Sequence, residues 1–373
     1  MLNAPAHATS HPKLVKLPAP YPLGVRKPIG HGREPCSYFR IHSCVRGWLA
    51  YADHKGGAAR LRPFCVPGCR GIVAELCYVV QKMRDNSLAS ATALEIVEVL
   101  SDGAGPINDD RAGFSGSTCW VIDGATDTSA EKLLPGGSDA AWLAERFSES
   151  FAKLAQKSEH SLADLVRDAT ALVARSFEAE HIRPPADRSR HPSAAACILR
   201  LRNGIGEVLG MGDSQLLYSA PGEAVRLCGA RREQLGDRRA IARIRAHAAE
   251  HNLTWNGARA ALHPQMSRGR ARMNIPGGYA VLSIDMAPDD LITQERLIVP
   301  KGARFLLMTD GFARLSEVFA AYTDESLLEA AFQRGLRALC DELRALENAD
   351  AECERVPRMK PHDDASAVLA RSV

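Results

Sequence analysis

The chain has few aromatic residues, no long apolar run and almost no net charge. Only 6% of its 373 residues are aromatic, whereas 46% are hydrophobic, so a core large enough for one big domain has to come mainly from aliphatic side chains. No segment reaches the ~18 apolar residues of a membrane-spanning helix, and residues 1–20 contain no apolar stretch typical of a secretory signal. We therefore predict a globular cytoplasmic protein of the α/β or α+β class, without a membrane partner.

The small net charge of +3 conceals an uneven distribution of charged residues. Residues 1–82 contain 12 Lys and Arg against three acids, and residues 83–373 contain 35 basic against 41 acidic side chains. An acidic domain argues against a nucleic-acid partner and suits a site made of carboxylates. The basic segment also lacks the regularly interleaved aromatic residues typical of nucleic-acid binding.

Residues 1–82 form the first predicted region, a basic N-terminal extension of low order. This region contains nine of the 21 prolines and has no sustained helical or strand periodicity. Three hypotheses remain open for it: a disordered leader, an over-extended start with Met83 as the natural first residue, or a zinc site. The zinc site would use irregularly spaced ligands: Cys36, His42, Cys44, Cys65 and Cys69.

Residues 88–373 form the second predicted region, which contains alternating strand and helix patterns. Strands are predicted at 94–100, 117–122, 194–202, 207–211, 215–218, 281–284, 304–308 and 365–370. Helices are predicted from Ser138 or Asp139, at 162–180, within the Arg-rich segment 226–272, and at 325–347. The cysteines of this region lie on apolar segments, as reduced core thiols do: Cys119, Cys197, Cys228, Cys340 and Cys353.

Acidic residues recur where the predicted strands end. They are Asp109, Asp110, Asp123, Asp213, Asp310, Asp363 and Asp364. Two of them precede glycine, which would let the backbone turn sharply and expose a carbonyl beside the carboxylate. A single Asp-Gly pair is most often a simple turn. Many acids brought together are costly unless cations neutralise them, and hard divalent cations prefer oxygen ligands. The repeated placement therefore indicates a metal site.

Five acidic motifs also follow one another in a fixed order. They are Asn-Asp-Asp-Arg at 108–111, Val-Ile-Asp-Gly at 121–124, Met-Gly-Asp-Ser at 211–214, Leu-Met-Thr-Asp-Gly at 307–311 and His-Asp-Asp-Ala at 362–365. The series resembles that of the type-2C (PPM-type) metal-dependent serine/threonine protein phosphatases, in an atypical bacterial-like branch. The resemblance covers 88–373. It implies an α+β fold in which two antiparallel sheets form a sandwich flanked by helix pairs, in four layers αββα.

The resemblance also implies a site for two Mn²⁺ or Mg²⁺ ions. Asp123 would bridge the two ions, and the carbonyl of Gly124 would bind the second. Asp310 and Asp363 would complete the first ion's ligands, and Asp110 would hold metal-bound waters.

Three further acids have supporting or alternative roles in this comparison. Asp109 would act beside Asp110, and Asp364 would support the ligands. Asp213 either contributes, with the Asp310 position, to a third ion found in some members, or is a structural turn residue. The nucleophile implied is hydroxide formed from a water between two ions, so no protein nucleophile is required.

The implied activity is hydrolysis of phosphoserine and phosphothreonine in proteins, and several departures leave alternatives open. The phosphate-binding Arg of the family is missing at 104–108, and no His-Gly-Gly follows Asp123. Segment 219–281, where a mobile flap is expected, has an Arg cluster that is either a solvated face or a contact for an acidic or phosphorylated partner. A small phosphomonoester is the alternative substrate, and a weak or inactive binding or sensor protein is the alternative function. No general acid is identified, since we expect His160, His181 and His191 to be surface residues. The oligomeric state is left open.

Overall fold

A computed structural model describes residues 92–373, apart from Thr128, Ala130, 157–158 and 231–237, and without the side chains of 238–240 and 263–268. The predicted extension 1–82, its alternative start at Met83 and its cysteine-histidine zinc arrangement lie outside the described residues. In the part that is described, no helix combines the length and the apolarity needed to cross a membrane.

Within the described residues, eleven strands form two sheets, and every pair of these strands is antiparallel. The strands are β1 (Leu94–Asp102), β2 (Arg111–Ser115), β3 (Thr118–Gly124), β4 (Ser193–Arg202), β5 (Ile205–Met211), β6 (Gln215–Ser219), β7 (Arg226–Cys228), β8 (Leu282–Ser283), β9 (Thr293–Ile298), β10 (Arg304–Met308) and β11 (Ala365–Ser372). One sheet has the order β1-β11-β10-β6-β7. The other has the order β2-β3-β4-β5-β9, with β8 paired to β4.

The described residues also form seven α-helices. They are α1 (Asp139–Ala155), α2 (Leu162–Glu180), α3 (Arg238–His251), α4 (Trp255–Ser267), α5 (Asp310–Glu317), α6 (Asp324–Arg334) and α7 (Leu336–Asn348). Short 3₁₀ turns lie at Arg188–Arg190 and Arg268–Arg272.

Two faces of each central strand are buried, which explains the nearly continuous apolar runs in the sequence. Successive side chains of a strand point to opposite faces. On β4, Cys197 and Leu199 pack in the core between the two sheets, whereas Ala196 and Ile198 pack in the core under α1 and α2. A third core joins the other sheet to α5, α6 and α7. The predicted four-layer αββα sandwich of the α+β class is confirmed.

Local sequence features place several boundaries. Ser138 is the N-cap of α1, since its side chain accepts a hydrogen bond from Ala141 N, and the alternative cap Asp139 instead accepts from the backbone N–H groups of Leu133 and Leu134. The β4–β5 hairpin turns through Asn203 and Gly204 with φ of 50° and 72°, which is typical of a two-residue type I′ turn.

The prediction of one helix at 325–347 is wrong, because the chain breaks into α6 and α7 at Gly335. Gly335 has φ of 82°, a left-handed conformation that favours glycine. Glu98 of β1 then caps the new helix. Its carboxylate accepts hydrogen bonds from Leu336 N at 2.7 Å and Arg337 N at 3.2 Å. The partner of these N–H groups is more than 200 residues away in sequence, so local periodicity could not reveal the break.

Four elements are absent from the sequence predictions: β2, β7, β9 and α5. The prediction that segment 226–272 is helical is wrong at its start, because Arg226–Cys228 pairs with β6 as strand β7. The Asp310-Gly311 pair was interpreted as a turn, but Asp310 begins α5, with Thr309 as the N-cap residue. The prediction about the later cysteines is confirmed: Cys119, Cys197, Cys228, Cys340 and Cys353 are buried free thiols. Burial raises the pKa of Cys228 to about 12, which keeps it a neutral thiol.

Candidate metal centre

The two sheets meet through acidic residues at one end of the sandwich. Asp123 is the penultimate residue of β3 in one sheet, and Asp310 lies two residues after the end of β10 in the other. The backbone N–H of Asp310 donates to Asp123 Oδ2 at 3.2 Å. This hydrogen bond links residues 187 positions apart and brings two predicted metal ligands into contact.

Asp110 is fixed at the same junction and is almost fully buried, with 1% exposure. The Thr309 hydroxyl donates to its Oδ2 at 2.9 Å, and the same hydroxyl accepts from Ser366 N at 3.0 Å. The backbone N–H of Asp110 donates to Asn108 Oδ1 at 2.9 Å. Thr309 therefore positions Asp110 directly beside Asp310.

Asp364 and Asp109 organise the loop that precedes β2. Asp364 accepts hydrogen bonds from Ala104 N and Asp109 N, both at 2.7 Å. Ser138, the cap of α1, donates to Asp109 Oδ1 at 2.5 Å. These contacts hold the loop rigidly against the cluster, so Asp109 and Asp364 both have structural partners.

Two basic side chains that the sequence analysis did not identify form ion pairs with Asp363. Arg314 Nη2 donates to Asp363 Oδ2 at 2.7 Å, and Lys360 Nζ donates to Asp363 Oδ1 at 2.7 Å. The sequence spacing could have indicated both residues. Arg314 lies four residues after Asp310 on α5, and side chains at that spacing share one face of a helix. Lys360 precedes Asp363 by three residues. A carboxylate has about four acceptor positions, so these two bonds leave Asp363 able to take a further ligand.

The glycines after the two Asp residues serve a different purpose from the predicted one. Neither Gly124 nor Gly311 has a positive φ. A Cβ on Gly124 would lie 2.4 Å from the Asp109 carbonyl oxygen, and one on Gly311 would lie 1.9 Å from the Asp364 carbonyl oxygen. Glycine is needed because neighbouring backbone approaches too closely for any side chain, and not because of a sharp turn.

The comparison with protein families can now be set beside this geometry. The family model described as Protein phosphatase 2C matches residues 101–350 of the chain. The chain belongs to the protein phosphatase 2C family. The resemblance found in the sequence motifs is thereby confirmed. No curated protein is similar enough to match the chain.

Three solved structures are similar to this chain at low sequence identity. PstP/Ppp, a serine/threonine phosphatase of Mycobacterium tuberculosis, is 16% identical with a TM-score of 0.46, over 76% of this chain and 99% of that one. PppA, a regulatory component of T6SS in Pseudomonas aeruginosa, is 13% identical with a TM-score of 0.45, over 76% and 100%. Serine-threonine phosphatase 2C of Toxoplasma gondii is 12% identical with a TM-score of 0.43, over 76% and 95%.

The acids of this phosphatase 2C domain repel one another. Burial raises the pKa of Asp110 and of Asp123 well above its usual range, and neighbouring carboxylates raise both further. Burial and Asp363 likewise raise the pKa of Asp310. Asp213 lies near enough to contribute to the shift of Asp123. The cluster thus has an excess of negative charge, made by the oxygen ligands that hard divalent cations prefer.

The cations beside Asp363 offset only part of this excess. Burial opposes the charge of Lys360, yet Asp363, Asp123 and Asp310 raise its pKa above the ordinary value. Burial also opposes the charge of Arg314, whose pKa Asp363 and Asp310 raise. The acids that the geometry gathers outnumber these two cations, so the residues present fit divalent metal ions. Divalent metals are also what phosphatases of this family use.

The predicted metal ligands do not form a tight three-residue group in this structure. Within the described part of the chain, the set of three His, Cys, Asp or Glu ligand atoms that all lie within 4.8 Å of one another belongs to α3: His247, Glu250 and His251.

Residues that flank the cluster have structural partners. Arg111 donates to the carbonyls of Asn108 at 2.8 Å and Asp110 at 2.7 Å, which ties it to the loop. Arg270, beyond α4, donates to the Thr126 carbonyl at 3.1 Å and so reaches the segment after β3.

The expectation that three histidines lie on the surface holds for His160, whose side chain is 67% exposed. It is wrong for His191, which is only 18% exposed because it packs beside Asp285. Burial lowers the pKa of His191. His181 is half-buried, with Nδ1 at 3.0 Å from the Phe177 carbonyl.

We expect Gly311→Ala to destabilise the phosphatase domain by about 3 kcal/mol, at the upper end of the cost of overpacking. The new Cβ would meet a backbone carbonyl 1.9 Å away, and backbone cannot rotate aside as a side chain can. Urea unfolding measures the change. Gly269→Ala is the matched control, since a Cβ there has no atom within 4 Å. Equal stability of the two variants would contradict the close approach.

We expect metal binding to stabilise the protein more as pH rises. Free Asp has a pKa of about 3.9, and folding raises the pKa of Asp110, Asp123 and Asp310. Above pH ~4 the metal-free folded state keeps protons that the unfolded chain has released, so its stability falls as pH rises through the raised pKa values. Bound metal ions would neutralise the ionised carboxylates and so remove this loss of stability at higher pH.

The measurement is the Tm with and without Mn²⁺ across a pH series from about 5 to 8. The Tm difference between the two forms should widen steadily with pH, and KCl at matched ionic strength should not widen it. A Tm difference that stays constant would show that the acids of the cluster are not the metal-binding groups.

Proposed function

We propose that this chain is a metal-dependent phosphatase that hydrolyses phosphoserine and phosphothreonine in proteins. The observation that carries the proposal is the meeting of Asp110, Asp123, Asp310 and Asp363 at one end of the sandwich in a chain of the protein phosphatase 2C family. Two divalent ions, Mn²⁺ or Mg²⁺, would be held mainly by Asp123, Asp310 and Asp363, with the Gly124 carbonyl as a further ligand. Such ions supply an activated water and screen the charge of the phosphate ester.

The chain's own residues orient the ligands and limit their movement. The N–H of Asp310 holds Asp123 Oδ2, and Thr309 holds Asp110. Asp109 and Asp364 fix the loop that carries Asp110. Asp213 stays a candidate for a third ion, since its charge reaches Asp123. Because the carboxylates of Asp110 and Asp123 are held before any ion binds, little ordering of these two ligands remains to oppose metal binding.

Lys360 is our candidate for the phosphate contact that the missing Arg would otherwise make. Its ammonium group lies on Asp363 and its side chain is 41% exposed, so a substrate phosphate can reach it. Lysine binds phosphate as a point charge, without the paired hydrogen bonds of arginine. We therefore expect the phosphate contact to be less directional than in family members that have the Arg.

The second candidate function is an inactive binding or sensor protein with the phosphatase fold. It is favoured by the contacts of Asp363, whose two oxygens already bind Arg314 and Lys360. Built-in cations could replace one metal ion and preserve the fold without catalysis. A phosphatase that acts on small phosphomonoesters is the alternative within the same chemistry.

The deciding experiment is hydrolysis by the full chain of p-nitrophenyl phosphate and of phosphoserine and phosphothreonine peptides, with Mn²⁺, Mg²⁺ or EDTA. The proposal requires metal-dependent release of phosphate from the peptides. Turnover of p-nitrophenyl phosphate alone would favour a small-molecule enzyme. Absence of turnover, with Mn²⁺ binding still measured by calorimetry, would favour the binding protein.

A further inference from the structure

A cavity of about 510 Å³ opens beside the acidic cluster. Asp310 forms part of its wall, together with residues of α5, α3 and the segment 355–358. Its volume lies within the range of ligand sites, about 300–1,000 Å³, and exceeds what one phosphate group requires. A substrate whose phosphate reaches the cluster would therefore have its neighbouring residues in this cavity.

Four arginines line the cavity, and two of them are neutralised within the fold. Arg314 binds Glu347 and Asp363, and buried Arg358 binds Asp350 at 2.9 Å. These two side chains are 4% and 1% exposed, so they form the inner wall and are already paired.

The two exposed arginines, Arg245 and Arg355, are different. Among the described residues, no hydrogen-bond or ion-pair partner meets Arg245 on α3. Arg355 is 70% exposed and lies 3.9 Å from Asp350, and its Nη2 donates to the Ala349 carbonyl, which carries no charge. The oxygens of Asp350 already accept from Arg358 and from the N–H groups of residues 354–356. At the mouth of the cavity, nearby carboxylates therefore neutralise little of the positive charge of these two guanidinium groups.

The other lining groups narrow the ligand class. Glu317, the second acid of the wall besides Asp310, accepts a hydrogen bond from Gln215 at 2.8 Å. Apolar contacts come from Ile241, Val318 and Val356. No aromatic residue is among the lining residues that the structure describes, so the stacking typical of single-stranded nucleic acid has no platform. Guanidinium groups beside aliphatic side chains suit a peptide with carboxylates.

We propose that this cavity selects substrates with acidic residues next to the phosphorylated residue, through Arg245 and Arg355. The inference rests on the proposed phosphatase function and specifies its substrate class. The residues that would select the peptide sequence lie on α3 and in segment 355–358, and these residues take no part in the proposed hydrolysis. Because both arginines are exposed, salt should weaken the selection.

The test is a binding measurement with two fluorescent phosphoserine peptides, one with Asp and Glu beside the phosphoserine and one with Asn and Gln at the same places. Anisotropy is recorded on the full chain with Mg²⁺ at low temperature, within the time before measurable phosphate release. We expect the acidic peptide to bind roughly 5- to 10-fold more tightly, given two exposed charge pairs, with the difference shrinking in high salt.

The double variant Arg245→Gln/Arg355→Gln should lose this difference, while turnover of p-nitrophenyl phosphate with Mn²⁺ stays unchanged. Arg296→Gln on β9 is the matched control, since Arg296 is 79% exposed and does not line the cavity. Equal affinity of the wild-type chain for both peptides, or a preference that survives in the double variant, would overturn the inference. The binding result decides it even if the chain hydrolyses neither peptide, which would count against the proposed function instead.

Discussion

Asp123→Asn is expected to lower kcat/KM for p-nitrophenyl phosphate by on the order of 10³-fold, since the metal-derived stabilisation of a transition state is several kcal/mol and each 1.36 kcal/mol is a factor of ten. Asp123 lies at the centre of the cluster: Asp310 N–H binds it, and the charges of Asp310, Asp110, Asp213 and Asp363 all reach it. Asn keeps the shape and one oxygen but removes the negative charge that would be shared between two ions.

The same substitution is expected to leave the fold intact and to stabilise the metal-free protein. Burial and four neighbouring acids oppose ionisation of Asp123, and a neutral amide removes that repulsion. The Tm in EDTA should therefore be equal to or above that of the wild type, while calorimetry should show weaker Mn²⁺ binding. This combination separates a ligand from a residue that merely supports the fold.

Asp289→Asn is the control for this experiment, because Asp289 is 68% exposed and pairs only with Arg167 at 3.2 Å in the contacts that the structure gives. It should retain wild-type turnover and Mn²⁺ affinity. Full activity of the Asp123 variant would exclude a mechanism that uses Asp123 as a metal ligand. Loss of activity together with a lower Tm in EDTA would instead indicate a structural role.

The order of the acidic motifs was the most informative part of the sequence. Strands that end in Asp can be identified locally because a continuous apolar run stops at the acid, as it does at Asp123. Their convergence follows once the strands belong to two sheets of one sandwich. The fold class and the family were thus accessible from motif order, without knowledge of any side-chain contact.

What the sequence could not reveal depends on partners that are distant along the chain. Gly335 interrupts a helix because Glu98 caps the next one, and Gly311 is required because the Asp364 carbonyl lies against it. Neither partner is within reach of a local pattern. The cations on Asp363 were missed for a related reason: a basic residue near an acidic motif is ordinarily a solvated surface residue, and only the tertiary contacts show that Arg314 is buried.

The second large effect is expected at Glu347, which is fully buried with 0% exposure. Its carboxylate accepts from Arg314 Nη1 at 2.8 Å and from Arg344 Nη1 at 2.7 Å. Arg344 Nη2 also donates to Asp102 Oδ1 of β1 at 3.0 Å, and Arg314 Nη2 also donates to Asp363 Oδ2. Glu347 therefore connects the end of β1 to a candidate metal ligand through a series of buried and partly buried ion pairs.

Glu347→Ala is expected to lower the free energy of unfolding by about 3 kcal/mol, the lower end of the cost of removing one partner of a buried ion pair, because Arg314 and Arg344 each keep another acidic partner. Such a loss is a large part of a typical stability of about 5–15 kcal/mol. Urea unfolding of the full chain measures it. Glu347→Gln, which keeps one acceptor oxygen, should lose less and remain folded, so the effect can be measured even if the alanine variant does not fold.

Asp341→Ala on the same helix provides the comparison. Asp341 is 68% exposed and makes only a long ion pair with Arg337, at 3.9 Å, so its replacement should change the free energy of unfolding by less than about 0.5 kcal/mol.

The Glu347→Gln variant also tests whether the ion pairs affect metal binding. In this variant Arg314 has Asp363 and Asp310 as its remaining charged partners, so it should compete more strongly with Mn²⁺ for Asp363. Weaker Mn²⁺ binding in this variant, with unchanged binding in Asp341→Ala, would show that the buried ion pairs control the charge available to the metal. Unchanged Mn²⁺ affinity in both would mean that Glu347 stabilises the fold alone.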